Sequence, residues 1–310
     1  MSIHLGASYD ALLHGAAPDL AGPEFNPNDL SRLTYFRGRV ALAAILRGIG
    51  VRVGDEVLIQ GFTCTAVPEA VLSLGARPRY VDVEGGGPNM DADDLARKIT
   101  ARSAAVVIQH TFGLPADVTR LLGVAREWGV PLVEDCAHTI ASRVDGRTVG
   151  SFGAAAFYSY EASKPMFIGI GGSAVCNDAG LADALTLAYG DYAEPSAATQ
   201  LQLAAMFLAH RVAYRPSAYW MVRALYRRLV VAGILRGNYN RVADETGPAL
   251  DFGRRMGRTQ AALLLRALKR LDAQSLHRRW VADHYRTGIR ATGVAHIPVA
   301  TNADPVFGRY

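Results

Sequence analysis

Short apolar runs alternate along this chain with longer amphipathic stretches, and the alternation predicts a repeating strand–helix order. A helical pattern covers residues 42–49. A turn at Gly54-Asp55-Glu56 then leads into a strand at 57–60. A helix from Val67 and a strand over 78–83 follow. Asp91 and Asp93 open a short helix over 91–100. The run 104–109 reads as a strand, and Asp117 is placed to cap a helix over 118–128. Three further apolar runs come close together. One ends at Asp135, one covers 154–158, and one follows Gly169, Gly171 and Gly172 into Asn177 and Asp178. Strands alternating with helices between residues 40 and 180 predict an α/β fold with a largely parallel central sheet flanked by helices.

Outside that region the pattern changes. Residues 1–30 read as an irregular lead-in rich in Gly, Pro and Asn. Residues 181–240 read as helical, with Pro216 dividing two helices. The aromatic and arginine-rich part of that stretch has two readings: a helical insertion packed on the large domain or at a subunit interface, or an amphipathic surface that touches a membrane or a lipid-linked sugar. A large domain over 1–245, with a helical insertion at about 195–240, and a C-terminal helical domain over 246–310 are expected.

Composition narrows the picture. The chain has 310 residues, half of them hydrophobic, with a net charge of +5 and a pI near 9.2. The arginines are scattered and form no basic–aromatic module, so nucleic acid is not an expected partner. An anionic small-molecule substrate fits the charge. Cys64, Cys136 and Cys176 give an odd count with no C-x-x-C, which argues against a disulfide framework and against a zinc site. No metal is expected. The opening residues lack a secretory pattern and no apolar stretch is long enough to span a bilayer, so the expected location is cytoplasmic.

Only three of the 33 basic residues are lysine: Lys98, Lys164 and Lys269. Lys164 lies between an apolar run and a glycine cluster. Lysine can lose its proton and attack a carbonyl, whereas arginine cannot. Asp135 ends a strand, where ligands meet an open α/β sheet. A carboxylate there can keep a pyridine nitrogen protonated, and Ser159 with glycine-loop amides can hold a phosphate. An amine, an acid and an anion cradle are the requirements of pyridoxal 5′-phosphate (PLP). Gly169-Ile170-Gly171-Gly172 lacks the strand–glycine–helix spacing of a dinucleotide fingerprint.

These motifs together resemble the DegT/StrS sugar aminotransferases, which are fold-type-I PLP enzymes. The matching segments are Glu134-Asp135-Cys136-Ala137, residues 146–153, Ser159 through Lys164, and residues 169–172. Similar matches run through Leu74-Gly75-Ala76, His110 to Asp117, and Arg255-Met256 with Gln260-Ala261-Ala262. The resemblance implies that Lys164 is the Schiff-base lysine and proton carrier. It also implies that Asp135 pairs with the ring nitrogen and that Ser159 binds the phosphate, with backbone amides at Gly38 and Arg39 beside it. His138 falls where the family places a residue near the ring, though a satisfied strand-end histidine reads as well. Arg37 and Arg39 have the alternative reading of two solvated charges. Thr63 and Cys64 occupy the family's threonine–aromatic pair, with a thiol in place of the stacking ring. Gly253 stands where an asparagine commonly reaches across the subunit interface, and the C-terminal domain reads as abbreviated.

The implied function is amino transfer from an amino acid, glutamate by expectation, to a keto-sugar, nucleotide-linked, in polysaccharide or secondary-metabolite sugar biosynthesis. A homodimer is implied as well. The alternative is a PLP-binding relative that no longer transaminates and serves as a regulator or assembly partner.

Overall fold

A computed structural model describes residues 26–161, 163–213, 217, 219–233, 252–290 and 297–308. Residues 1–25 of the expected lead-in over 1–30, the break at Pro216 and the expected boundary at 245/246 lie outside the described residues; the end of the lead-in forms a 3-10 turn, Pro27–Ser31.

Seven strands form the main sheet: β1 (Leu33–Tyr35), β2 (Glu56–Gln60), β3 (Arg77–Val81), β4 (Ser103–Gln109), β5 (Leu132–Asp135), β8 (Ala155–Ser159) and β9 (Gly172–Cys176). Their spatial order is β1-β9-β8-β5-β4-β2-β3. The β3, β2, β4, β5 and β8 pairings are parallel, while β9 runs antiparallel between β8 and β1. Strand residues alternate between two core clusters, as a two-residue side-chain period requires. Leu58, Val106, Ile108 and Leu132 face one side; Val57, Ile59, Ala105, Val107 and Val133 face the other.

Helices cover both faces, which is why the central strands are apolar throughout instead of alternating. One face carries α1 (Gly38–Ile49), α2 (Ala66–Leu72) and α5 (Ala179–Tyr189). The opposite face carries α3 (Ala92–Lys98), α4 (Val118–Glu127) and α8 (Arg258–Leu268). Met256, Leu264 and Leu271 share the core with strand residues of that face. Asp91, Asp117 and Asp178 each cap a following helix by accepting from the third amide beyond.

Two further helices, α6 (Ala197–Ala213) and α7 (Tyr219–Val231), occupy the region read as an insertion. α9 (Leu271–Arg290) follows α8. A small second sheet joins β6 (Arg143–Val144) and β7 (Arg147–Thr148) to β10 (Ala303–Asp304). Among the described residues no helix is long and apolar enough to cross a membrane.

Candidate active site at the carboxyl edge of the sheet

Four parallel strands, β2, β4, β5 and β8, end on polar residues at one edge of the sheet: Gln60, Gln109, Asp135 and Ser159. Open α/β sheets place their ligands at this edge.

Asp135 is almost fully buried. One carboxyl oxygen accepts from the Ala137 amide at 2.8 Å. Burial raises its pKa above the ordinary aspartate value; Lys164, that hydrogen bond and His110 pull the other way. Lys164 therefore lies within electrostatic reach of Asp135. Its amide donates to the Glu161 carbonyl at 3.2 Å, closing a turn. Ser163, immediately before it, has a φ of 72°, and Phe112 across the site has 57°. Left-handed backbone at a non-glycine residue is strained, and such strain gathers at functional sites.

The start of α1 supports the same edge. A Cβ on Gly172 would stand 2.5 Å from both the nitrogen and the Cα of Gly38. One on Gly38 would meet Ser159 Cβ at 2.8 Å and its Oγ at 3.2 Å. Glycine at both positions lets the helix start sit against Ser159. Val40 and Ala41 both donate to the Arg37 carbonyl. The amides of Gly38 and Arg39 precede the first intrahelical donor, as at any helix start.

The flanking arginines are not solvated charges. Arg37 is buried and its Nη1 donates to Glu161 at 3.0 Å, which ties the start of α1 to the segment carrying Lys164. Arg39 pairs with Glu69 of α2. Thr63 donates to Gln109 at 2.8 Å, and Cys64 is exposed. His138 Nδ1 accepts from the Phe112 amide at 3.2 Å, and its ring stacks on Phe112 with centroids 5.6 Å apart. Phe62 meets the same phenyl ring edge-on at 6.1 Å. The structure thus brings Asp135, Lys164, Ser159, Gly38 and His138 to one edge. The side chains of Arg39 and Thr63 are engaged with neighbouring elements instead.

Sequence reasoning missed Glu134. Its fully buried carboxylate accepts from the amides of Gly150 (2.7 Å), Phe152 (2.7 Å) and Gly153 (2.8 Å), and from His110 Nε2 (3.1 Å). Burial alone would raise its pKa, but these bonds outweigh it and hold the carboxyl below the ordinary value. His110 Nδ1 accepts from the Ala116 amide, so its ring proton sits on Nε2 and faces Glu134. His110, Glu134 and Cys136 lie close enough together to suggest a metal site. Both histidine nitrogens and both carboxylate oxygens already have protein partners, so the cluster reads as a buried scaffold. It orders the 150–153 loop behind Asp135. The signal available in the sequence was the pairing of Glu134 with a glycine-rich loop.

The residues at this edge fit a PLP-sized group. Asp135 is a buried carboxyl within electrostatic reach of Lys164, and glycine at 38 and 172 lets the start of α1, with its free amides, pack directly against Ser159. A doubly covered, mostly parallel sheet with one antiparallel strand, an acid at its carboxyl edge and a lysine on the loop after β8 is the architecture of the fold-type-I PLP enzymes. The chain belongs to the DegT/DnrJ/EryC1/StrS aminotransferase family, whose sequence profile matches residues 33–308. It is 32% identical to L-glutamine:scyllo-inosose aminotransferase of Streptomyces griseus over 257 residues, which is 83% of this chain and 52% of that protein. It is 39% identical to UDP-N-acetyl-3-dehydro-alpha-D-glucosamine 3-aminotransferase of Acidithiobacillus ferrooxidans, over 46% of this chain and 39% of that one. The chain thus spans about half or less of these relatives. Among solved structures, the aminotransferase TlmJ from Streptoalloteichus hindustanus superposes with a TM-score of 0.65 at 25% identity, covering 98% of this chain and 75% of that one. S. venezuelae DesV, solved in complex with a ketimine intermediate, gives 0.62 at 27% identity, covering 89% and 62%.

Proposed function

We propose that the protein is a PLP-dependent aminotransferase that moves an amino group from an amino acid to the ketone of a sugar or cyclitol. The observation that carries the reading is the buried Asp135 carboxyl held within electrostatic reach of Lys164 at the sheet's carboxyl edge. PLP supplies an electron sink for the carbon that loses or gains a proton. Asp135 would hold a proton on the ring nitrogen. Ser159 Oγ and the amides opening α1 would bind the phosphate, helped by the positive end of the helix. Lys164 Nζ would anchor the cofactor and carry the proton at the reacting carbon. His138 and Phe112 would pack beside the ring, while the Arg37–Glu161 pair keeps cradle and lysine in register.

The amine donor is an α-amino acid. L-glutamine, the donor named for the Streptomyces griseus relative, is the first alternative to the glutamate expected from the sequence. The acceptor class follows the keto-sugars and inososes of the relatives' names. The working unit is read as a homodimer, which sedimentation equilibrium tests.

The test is to add PLP to the purified chain, reduce with borohydride and map peptides by mass. A pyridoxyl mass on the Lys164 peptide, lost in Lys164→Ala, supports the reading. A folded chain that takes no label at saturating PLP overturns it, while a labelled chain that no amino acid converts to the pyridoxamine form favours the non-transaminating alternative.

A further inference from the structure

α6 and α7 show large apolar side chains to solvent on faces the core does not use. On α6, Leu201 (72% exposed) and Leu208 (60%) stand one heptad apart, with exposed Ala205 between them on the same stripe. The inner side of α6 is already engaged: Phe207 meets Phe167, on the loop after Lys164, at 5.7 Å. On α7, Trp220 (73%), Met221 (72%) and Val231 (79%) are exposed. Large apolar side chains exposed on two successive helices mark a candidate binding surface.

The charge around these faces is one-sided. Residues 195–243 contain seven arginines and no aspartate or glutamate, in a chain that is about one-tenth acidic overall. Arg223, Arg227 and Arg228 are exposed on α7 itself. Arg223 lies over the Trp220 ring at 5.6 Å. Trp, Met and Leu beside arginines, with no acid, is the composition of a helix that lies in a bilayer interface. Its apolar side enters the acyl boundary and its cations meet anionic headgroups.

A second copy of the chain fits less well. A two-fold interface sets the same patch against itself, and this one would oppose arginine with arginine, with no acid on either helix to neutralise them. We propose that the outward faces of α6 and α7 dock the protein on an anionic lipid surface, peripherally and reversibly. The proposal does not depend on the catalytic reading.

Co-sedimentation of the full chain with vesicles tests it. Pure phosphatidylcholine vesicles are compared with vesicles doped with phosphatidylglycerol. Binding is expected only to the doped vesicles, and it should fall as salt shortens the screening length. Each arginine near the surface contributes about a fivefold change in partitioning. The triple variant Arg223→Gln, Arg227→Gln, Arg228→Gln should therefore weaken binding on the order of a hundredfold. Trp220→Ser should weaken it with no change in melting temperature, because that ring is exposed. The proposal is overturned if the wild-type chain ignores doped vesicles, or if it binds them unaffected by either variant. Sedimentation velocity supplies the other contrary result: concentration-dependent self-association that the same variants abolish would assign the face to a second copy.

Discussion

At the residue scale, adjacent carboxylates on one strand are held in opposite ways. Glu134 is buried with four donors on its two oxygens; Asp135 is buried with one amide and a lysine's field. Their pKa values move in opposite directions, so their pH signatures do too. The folded-state pKa of Glu134 is depressed. Its stabilisation is present above the ordinary glutamate range and disappears as pH falls through the lowered value. Glu134→Gln puts an amide where backbone donors converge, and a loss on the order of 3–5 kcal/mol is expected. Urea denaturation should also show a reduced slope of stability against pH in the acid range. Asp135 has a raised folded-state pKa. The cofactor-free protein should therefore lose stability as pH rises from the ordinary aspartate range through the raised value. Asp135→Asn removes that penalty and keeps an oxygen for the Ala137 amide. We expect a higher melting temperature for the cofactor-free variant at neutral pH, together with weaker PLP retention. A melting temperature that falls would show that the carboxylate is fully compensated by its surroundings.

At the element scale, the chief constraint is the approach of β9 to the start of α1. Gly172→Ala places a methyl 2.5 Å from backbone atoms of Gly38, and backbone cannot rotate away as a side chain can. An overpacking cost of about 1–3 kcal/mol is expected. PLP affinity should drop while the Lys164 peptide remains the one labelled after borohydride. Label moving to another lysine would show that the cradle does not position the cofactor. The strands around this junction also mark what the sequence made legible. β2, β4, β5 and β8 are apolar because both faces are covered, so their runs were readable to within about two residues. β1 has only three residues and takes its stability from pairing with β9, a contact 141 residues distant at Leu33–Ala174. No local pattern announces it. α1 starts at Gly38 rather than Leu42, because its first turn is fixed by tertiary contact with Gly172 and Ser159. The β6–β7 hairpin was readable in principle: Asp145-Gly146 adopts left-handed φ at both positions, the pattern two-residue hairpins favour. The candidate residues Lys164, Asp135 and Ser159 were picked out by motif spacing, and the fold sets them at one sheet edge. The burial of Arg37 was not legible, since its partner Glu161 lies 124 residues away.

At the scale of the whole molecule, a strap drawn from residues 302–308 closes over loops at the carboxyl edge of the sheet. Asn302 and Asp145 exchange two bonds, β10 extends the β6–β7 sheet, Val306 donates to Ser142, and Gly308 donates to the Phe112 carbonyl. Gly113 permits this approach. Its φ is 92°, and a Cβ there would stand 2.2 Å from the Val306 carbonyl oxygen. One side chain of α9 joins the strap to the lysine loop: Arg278 donates to the carbonyls of Phe307 (3.3 Å), Gly308 (3.1 Å) and Pro165 (3.2 Å). Pro165 directly follows Lys164, so the strap, α9 and the candidate catalytic lysine share one guanidinium. Burial lowers the Arg278 pKa, but an arginine remains charged across the working range. Three carbonyls on one planar cation give charge-assisted bonds, each stronger than a neutral one. Arg278→Met keeps most of the buried stem and removes every donor, so its effect isolates the hydrogen bonds. A global loss of about 2 kcal/mol is expected. The diagnostic reading is local: hydrogen exchange should quicken at 303–308 and around Lys164 together, while the β4–β5 core keeps its protection. Faster exchange at the strap alone would mean that Arg278 anchors the strap without positioning the lysine loop. Unchanged exchange at both would remove the coupling between strap and site.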